Sequence, residues 1–219
     1  MLKTPIFITN FKTYEQATGQ RAVDLALIHQ EVAEATGASI AVAVQACDLY
    51  RVSQAVSIPV FAQHIDPVDY GSFTGHSLPQ SVRACGAIGT LLNHSERRLP
   101  VDVLTNTLAC AQKTSLIRIV CCEDVPEVEK FAQFDPDFLA FEPPELIGCC
   151  GKSVATEEPE SIKKAVEATS LPVLVGAGIS TAEDITVSLK LGAQGFLVAS
   201  AITKAKNPKK ILTELVSAF

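Results

Sequence analysis

At 219 residues with 47% apolar and 19% charged side chains, the chain has the length and hydrophobic content of one globular domain with a substantial core. Its net charge of −6 comes with no basic run or stripe, which excludes a general nucleic-acid surface, and no apolar run approaches the roughly 20 residues that span a bilayer. The start lacks a long apolar segment and a small-residue cleavage site, and the seven cysteines include no C-x-x-C spacing, so reduced thiols in a cytoplasmic protein are predicted.

In chain order, short β-branched or aromatic runs alternate with longer amphipathic ones. Strands are predicted at 5–10, 38–44, 59–65, 89–95, 117–122, 137–142, 172–176 and 195–200. Helices are predicted between and after them, at 15–35, 47–55, 79–85, 101–113, 125–134, 159–168, 182–191 and 207–218. Strict alternation requires parallel strands, because each helix returns the chain to the same edge of the sheet. Eight near-equal units predict an α/β fold closed as a (β/α)8 barrel over residues 1–219, with an open doubly wound sheet as the competing architecture.

A barrel of this kind carries its site at the C-terminal ends of the strands, which gathers Asn10, Ser95, Glu142, Gly176 and Ser200 at one mouth. Glu142 ends an apolar strand and precedes Pro143, Pro144 and Gly148, which reads as a general base beneath a lid. Gly176 to Thr181 leads into a helix whose Thr181-x-x-Asp184 spacing resembles a capping box, with early N–H groups expected to be free for an anion. Taken singly, His94 is a satisfied polar group and Glu142 a helix-start carboxylate; with Lys12 on another strand end, the functional reading dominates. Glu145 is a rival base, but it lies within the lid segment. His64, His76 and Asp66 fit no zinc spacing and are assigned structural roles, and Lys204, Lys206, Lys209 and Lys210 read as a solvated helix face.

Six segments in order carry a family resemblance: Asn10-Phe-Lys12-Thr-Tyr14, Ala62-Gln-His-Ile-Asp-Pro67, Gly71-Ser-Phe-Thr-Gly75, Leu92-Asn-His-Ser-Glu96, Glu142-Pro-Pro-Glu-Leu-Ile-Gly148 and Gly176-Ala-Gly-Ile-Ser180. From residue 5 to about residue 206 the chain resembles the triosephosphate isomerase family in its short archaeal-type form. The resemblance implies a TIM barrel that interconverts dihydroxyacetone phosphate and D-glyceraldehyde 3-phosphate through an enediolate, in glycolysis and gluconeogenesis, with no metal or organic cofactor. It makes Glu142 the base and His94 the electrophile, roles known for the family rather than read from this chain. Lys12 would supply positive charge, Asn10 an amide donor, and Glu96 a partner for Lys12.

Phosphate would be gripped by the N–H groups of Ile147, Gly178, Ala199 and Ser200. Thr74, on a protruding loop, would touch a neighbouring subunit near its Lys12. A homo-oligomer follows, a tetramer favoured over a dimer, in which Leu104, Leu108, Phe131 and Phe134 either serve an extra contact or face the barrel. Pro143 and Pro144 would stiffen the near hinge of the lid, and Gly148 and Gly151 would free the far one. Cys149-Cys150 replaces a Thr-Gly-like step; two tolerated small residues are favoured over an oxidation-sensitive lid. The alternatives are another sugar-phosphate enzyme on a phosphate-binding barrel and a barrel without catalysis.

Overall fold

The computed structural model describes residues 2–147 and 152–219. Eight parallel strands close in sequence order: β1 (Ile6–Asn10), β2 (Ser39–Val44), β3 (Val60–Ala62), β4 (Gly89–Leu92), β5 (Ile117–Cys122), β6 (Phe138–Phe141), β7 (Val173–Val175) and β8 (Gly195–Val198). The last pair, β1 with β8, aligns Ile6 with Gly195 and Thr9 with Val198. This is the predicted closed barrel, and the open sheet is ruled out by that pairing.

Around the strands run α1 (Gln20–Thr36), α2 (Leu49–Ala55), α3 (Pro79–Ala84), α4 (Val101–Lys113), α5 (Val125–Ala132), α6 (Val154–Glu157), α7 (Pro159–Glu167), α8 (Ala182–Lys190), α9 (Ser200–Thr203) and α10 (Pro208–Val216). Two departures from the predicted set have simple causes. The first predicted helix breaks into a 3-10 turn, Glu15–Ala17, and α1, because Gly19 takes φ 65° and donates its N–H to Asp48 Oδ2 at 3.0 Å. The helices α6 and α9 went unpredicted because four residues make barely one turn, too few to show a helical repeat.

The barrel sorts its apolar residues by strand parity. Ile6, Ile8, Ala41, Ala43, Phe61, Leu91, Ile119, Cys121, Phe138, Ala140, Leu174 and Leu197 form one buried cluster that fills the interior. Their neighbours in sequence, such as Phe7, Val42, Val120, Leu139 and Phe196, pack outward against the helices in a second, larger cluster. Small and large residues alternate in the interior: Gly89 stands beside Phe61, and a Cβ at position 89 would overlap the Phe61 ring. Leu104, Leu108 and Phe131 are buried in the outer layer and so face the barrel, and Phe134, partly buried, packs against them.

Polar side chains tie the layers together. His29 of α1 is fully buried, its Nδ1 2.8 Å from Leu25 O and its Nε2 2.7 Å from Thr9 Oγ1 on β1. Burial lowers its pKa to about 4, so the ring is neutral, donating to the carbonyl and accepting from the hydroxyl. His64 Nε2 pairs with Asp66 Oδ1 at 3.0 Å, and Asp66 Oδ2 accepts the Ser77 N–H at 2.6 Å, the structural role assigned to them. Lys209 meets Glu31 at 3.0 Å and Lys210 lies 3.8 Å from Glu214, as befits a solvated face. Among the described residues no helix is long and apolar enough to cross a membrane.

Candidate active site

Strand parity continues past the ladders and aims the polar residues. Ile6 and Ile8 point inward, and so does Asn10 two positions on, with Lys12 brought to the mouth by the turn that follows; Phe138 and Ala140 lead to Glu142, Leu174 to Gly176, and Leu197 to Ala199. The ladders stop sooner than predicted, at Leu92, Phe141, Val175 and Val198, so Ser95, Glu142, Gly176 and Ser200 lie beyond them. Single bonds still extend the sheet there: Glu142 N–H to Cys122 O and Gly176 N–H to Phe141 O, each 2.9 Å.

A cavity of about 430 Å³ opens at this end, lined by Asn10, Lys12, Glu142, Ile147, Gly178, Ala199 and Ser200 among others. His94 and Glu96 line an adjoining hollow that shares Asn10 and Lys12 with the first. The residues predicted for catalysis and phosphate binding are thus at the mouth, whereas Ser95 lines neither hollow and Thr74 is exposed on its loop.

Lys12 has a backbone φ of 45°, a left-handed conformation that a long side chain rarely adopts. Asn10 Oδ1 accepts the Lys12 N–H at 3.0 Å, and Gln63 Nε2 reaches Asn10 Oδ1 at 3.2 Å and Lys12 O at 3.0 Å. These bonds hold the turn and occupy the Asn10 oxygen, leaving its amide N–H2 for a ligand. The Lys12 ammonium lies 2.9 Å from Glu96 Oε1, the pairing expected of it.

His94 is aimed by its neighbour. Asn93 takes φ 60°, fixed by its Nδ2 on Cys121 O and its Oδ1 on the Leu99 N–H, both at 3.0 Å. The Glu96 N–H then donates to His94 Nδ1 at 3.1 Å, which makes Nδ1 the acceptor and leaves the ring hydrogen on Nε2. Burial, reinforced by the Lys12 charge and opposed by Glu96, lowers the His94 pKa to about 4. The imidazole is therefore neutral with a donor facing Glu142 Oε1, 3.9 Å away.

Glu142 is 7% exposed, and burial raises its pKa from 4.5 to about 7; Glu96 adds to the shift, while Lys12 and a hydrogen bond from Cys121 oppose it. Its Oε1 has no hydrogen-bond partner among the described residues. A carboxylate left this unsatisfied and half-ionised near neutrality is suited to taking and returning a proton. The Cys121 thiol, fully buried with its pKa pushed well up by burial and by Glu142, stays protonated as a donor. Sequence reasoning missed Cys121 and Gln63. The signal for Cys121 was its inward parity with Ile119, on the strand next to Glu142.

On the phosphate side the expectations fare unevenly. Gly178 takes φ 77°, and a Cβ there would collide with the Lys152 carbonyl oxygen, so only glycine fits. The capping box of α8 is present, but Asp184 Oδ2 accepts the N–H groups of Ser180 and Thr181 at 2.9 and 2.8 Å. Those two groups, on the loop and cap ahead of α8, are not free for an anion, because the box places a carboxylate over them. Ile147 donates its N–H to Pro144 O at 3.2 Å, behind a 3-10 turn, Pro144–Leu146. Gly148, Gly151 and the Cys149-Cys150 pair lie outside the described residues. Past them Ser153 Oγ meets Asp184 Oδ1 at 2.5 Å, tying the far stem of the lid segment to α8. Glu145 is exposed and does not line the cavity.

The chain is 44% identical to a triosephosphate isomerase of Methanosarcina acetivorans over 97% of its own length and 98% of the relative's. It is 47% identical to that of Methanothermobacter thermautotrophicus, covering 98% and 95%, and 42% identical to that of Saccharolobus solfataricus, covering 99% and 96%. The crystal structure of triosephosphate isomerase from Bartonella henselae superposes with a TM-score of 0.70 over 91% of this chain and 93% of that one; at 18% identity this likeness speaks for the fold. With the family model for triosephosphate isomerase matching residues 5–218 and relatives this similar along their whole length, the chain belongs to the triosephosphate isomerase family.

Proposed function

We propose that the barrel mouth interconverts dihydroxyacetone phosphate and D-glyceraldehyde 3-phosphate by proton transfer. The observation that carries this is the facing pair: a buried carboxylate poised at about 7 and a neutral imidazole whose Nε2–H lies 3.9 Å from it. In the forward direction Glu142 takes a proton from C1 of the ketose, and the C–H electron pair forms the C1–C2 double bond. Charge then develops on O2, where the His94 Nε2–H and the Lys12 ammonium stabilise it. Proton exchange between His94 and the two oxygens moves the carbonyl to C1, and Glu142 returns its proton to C2. Base and donors all come from this chain, so no metal or organic cofactor is required.

The phosphate would sit against Gly178 and the start of α9, within reach of the N–H groups of Ala199, the N-cap, and Ser200, which as the first helical residue has no intrahelical acceptor. Ile147 would exchange its bond to Pro144 for a phosphate oxygen as the lid closes and excludes water.

In this reading the protein works in glycolysis and gluconeogenesis in the cytoplasm, as a homo-oligomer with a tetramer favoured. Tyr70 and Phe73, 75% and 45% exposed beside Thr74, support a loop that is covered by a second subunit. Light scattering at micromolar concentration should give a mass above the monomer's 23.3 kDa; a monomer would refute the assembly. The activity itself is tested by a coupled assay of glyceraldehyde 3-phosphate in the presence of a chelator. Rapid turnover is expected. Binding of inorganic phosphate without turnover would instead indicate a different sugar-phosphate enzyme or a non-catalytic barrel.

A further inference from the structure

Lys204 stands apart from the basic cluster to which its sequence position assigns it. It follows α9 directly, caps that helix by donating its N–H to Ser200 O at 3.1 Å, and lines the main cavity with Glu142, Gly178, Ala199 and Ser200. Its ammonium lies 4.2 Å from the centre of the Tyr14 ring. Tyr14 lines the same cavity from the other side of the β8–β1 seam, half-buried and packed against the outer core layer. A cation on an aromatic face is held in place by roughly 1 kcal/mol while its charge remains uncompensated.

The charges around the cavity make that position significant. Lys12 is offset by Glu96 at 2.9 Å, and it lies beside Asn10 at the end where Glu142 acts. Lys204 makes no ion pair among the described residues, and its backbone is one helical turn from Ser200, where the phosphate is placed in the reading above. Asp184 takes up the Ser180 and Thr181 N–H groups of the neighbouring loop, so neither of these backbone donors serves the dianion.

We propose that Lys204, held over Tyr14, is a phosphate-recognising cation of this site, whose charge selects substrates carrying a dianionic group. Tyr14 is its positioning residue. The inference rests on the proposed isomerase reading and adds to it a side-chain term at the end of the cavity remote from the chemistry. Because the interaction is made equally with bound substrate and with the transition state, it acts on binding and not on turnover.

The test compares Lys204→Met, Lys204→Arg, Tyr14→Leu and, as a control on the neighbouring exposed lysine, Lys206→Met. For Lys204→Met, KM for glyceraldehyde 3-phosphate and the inhibition constant of inorganic phosphate should both rise about fivefold while kcat changes by less than about twofold. Arginine should restore most of the loss, Tyr14→Leu should shift both constants in the same direction by about twofold, and Lys206→Met should match wild type. Unchanged phosphate inhibition in Lys204→Met overturns the proposal, as does a loss confined to kcat, which would mean that the side chain acts on the chemistry and not on phosphate binding. If wild type proves inactive, the isomerase reading fails separately. Protection of the fold by inorganic phosphate in thermal melts, compared between wild type and Lys204→Met, then still decides whether Lys204 binds phosphate.

Discussion

Glu142→Gln should yield a protein that is nearly inactive yet more stable than wild type at pH 8. The activity loss follows from chemistry: an amide cannot accept the C1 proton, and removing a general base costs at least about a hundredfold in turnover. The stability gain follows from linkage. Glu142 has a folded pKa of about 7 against an ordinary 4.5, so the fold favours its protonated form. That contribution is fully present below pH 4.5 and is lost as the pH rises through about 7, leaving a buried carboxylate with one oxygen unpartnered among the described residues. Glutamine has the same shape and never ionises. The variant should therefore exceed wild type by about 1–3 kcal/mol at pH 8, with the difference closing near pH 4. Denaturant titrations at the two pH values, beside the coupled assay, check both halves. A difference that does not depend on pH would mean that Glu142 is not held as a raised-pKa carboxylate, and retained turnover would remove it as the base.

The same pKa shapes the wild-type pH profile. The free enzyme's kcat/KM should rise with pH through about 7 as Glu142 ionises, whereas His94, at about 4, stays neutral throughout and adds no inflection there. The two groups share the mouth and its burial. Their shifts run in opposite directions because burial penalises the charged form of each, anion in one and cation in the other.

Much of this was legible because a barrel enforces parity. Once β1 and β6 are recognised as strands, Asn10 and Glu142 can only point at the mouth, and short polar motifs at strand ends become one constellation. What the sequence hid depended on partners distant in the chain. Cys121 gains its role from Glu142 on the next strand, Gln63 from the strained turn at Lys12, and Lys204 from Tyr14 across the seam where the barrel closes. The capping box at Thr181 was visible as a spacing. Its consequence was not, because whether Asp184 frees or consumes N–H groups depends on where its second oxygen lands. The orientation of Leu104, Leu108 and Phe131 was equally open, since an apolar residue on a helix fits the barrel or a partner until packing decides.

The second large effect comes from Gly176, which touches no substrate in the proposed mechanism. Its backbone needs no left-handed conformation, so alanine is acceptable to the main chain itself. The added Cβ, however, would stand 2.5 Å from Glu142 Cγ and 2.7 Å from Oε2. Real carbon atoms do not approach that closely, and Glu142 is enclosed by the Cys121 thiol and by its own burial, so it must leave its rotamer. Gly176→Ala should thus lower kcat about a hundredfold, as expected when a catalytic group is displaced by an ångström or so. It should also destabilise the fold by about 1–3 kcal/mol through overpacking. Inhibition by inorganic phosphate should stay near the wild-type value, because the proposed phosphate contacts come from Gly178, α9 and Lys204, which line the cavity apart from Gly176. The two variants then separate position from chemistry: Glu142→Gln loses the base and gains stability, while Gly176→Ala keeps the base, misplaces it and loses stability. Near-normal turnover in Gly176→Ala would show that the reactive position of Glu142 is not the one seen here, and that the carboxylate moves on binding substrate into space the extra methyl does not reach.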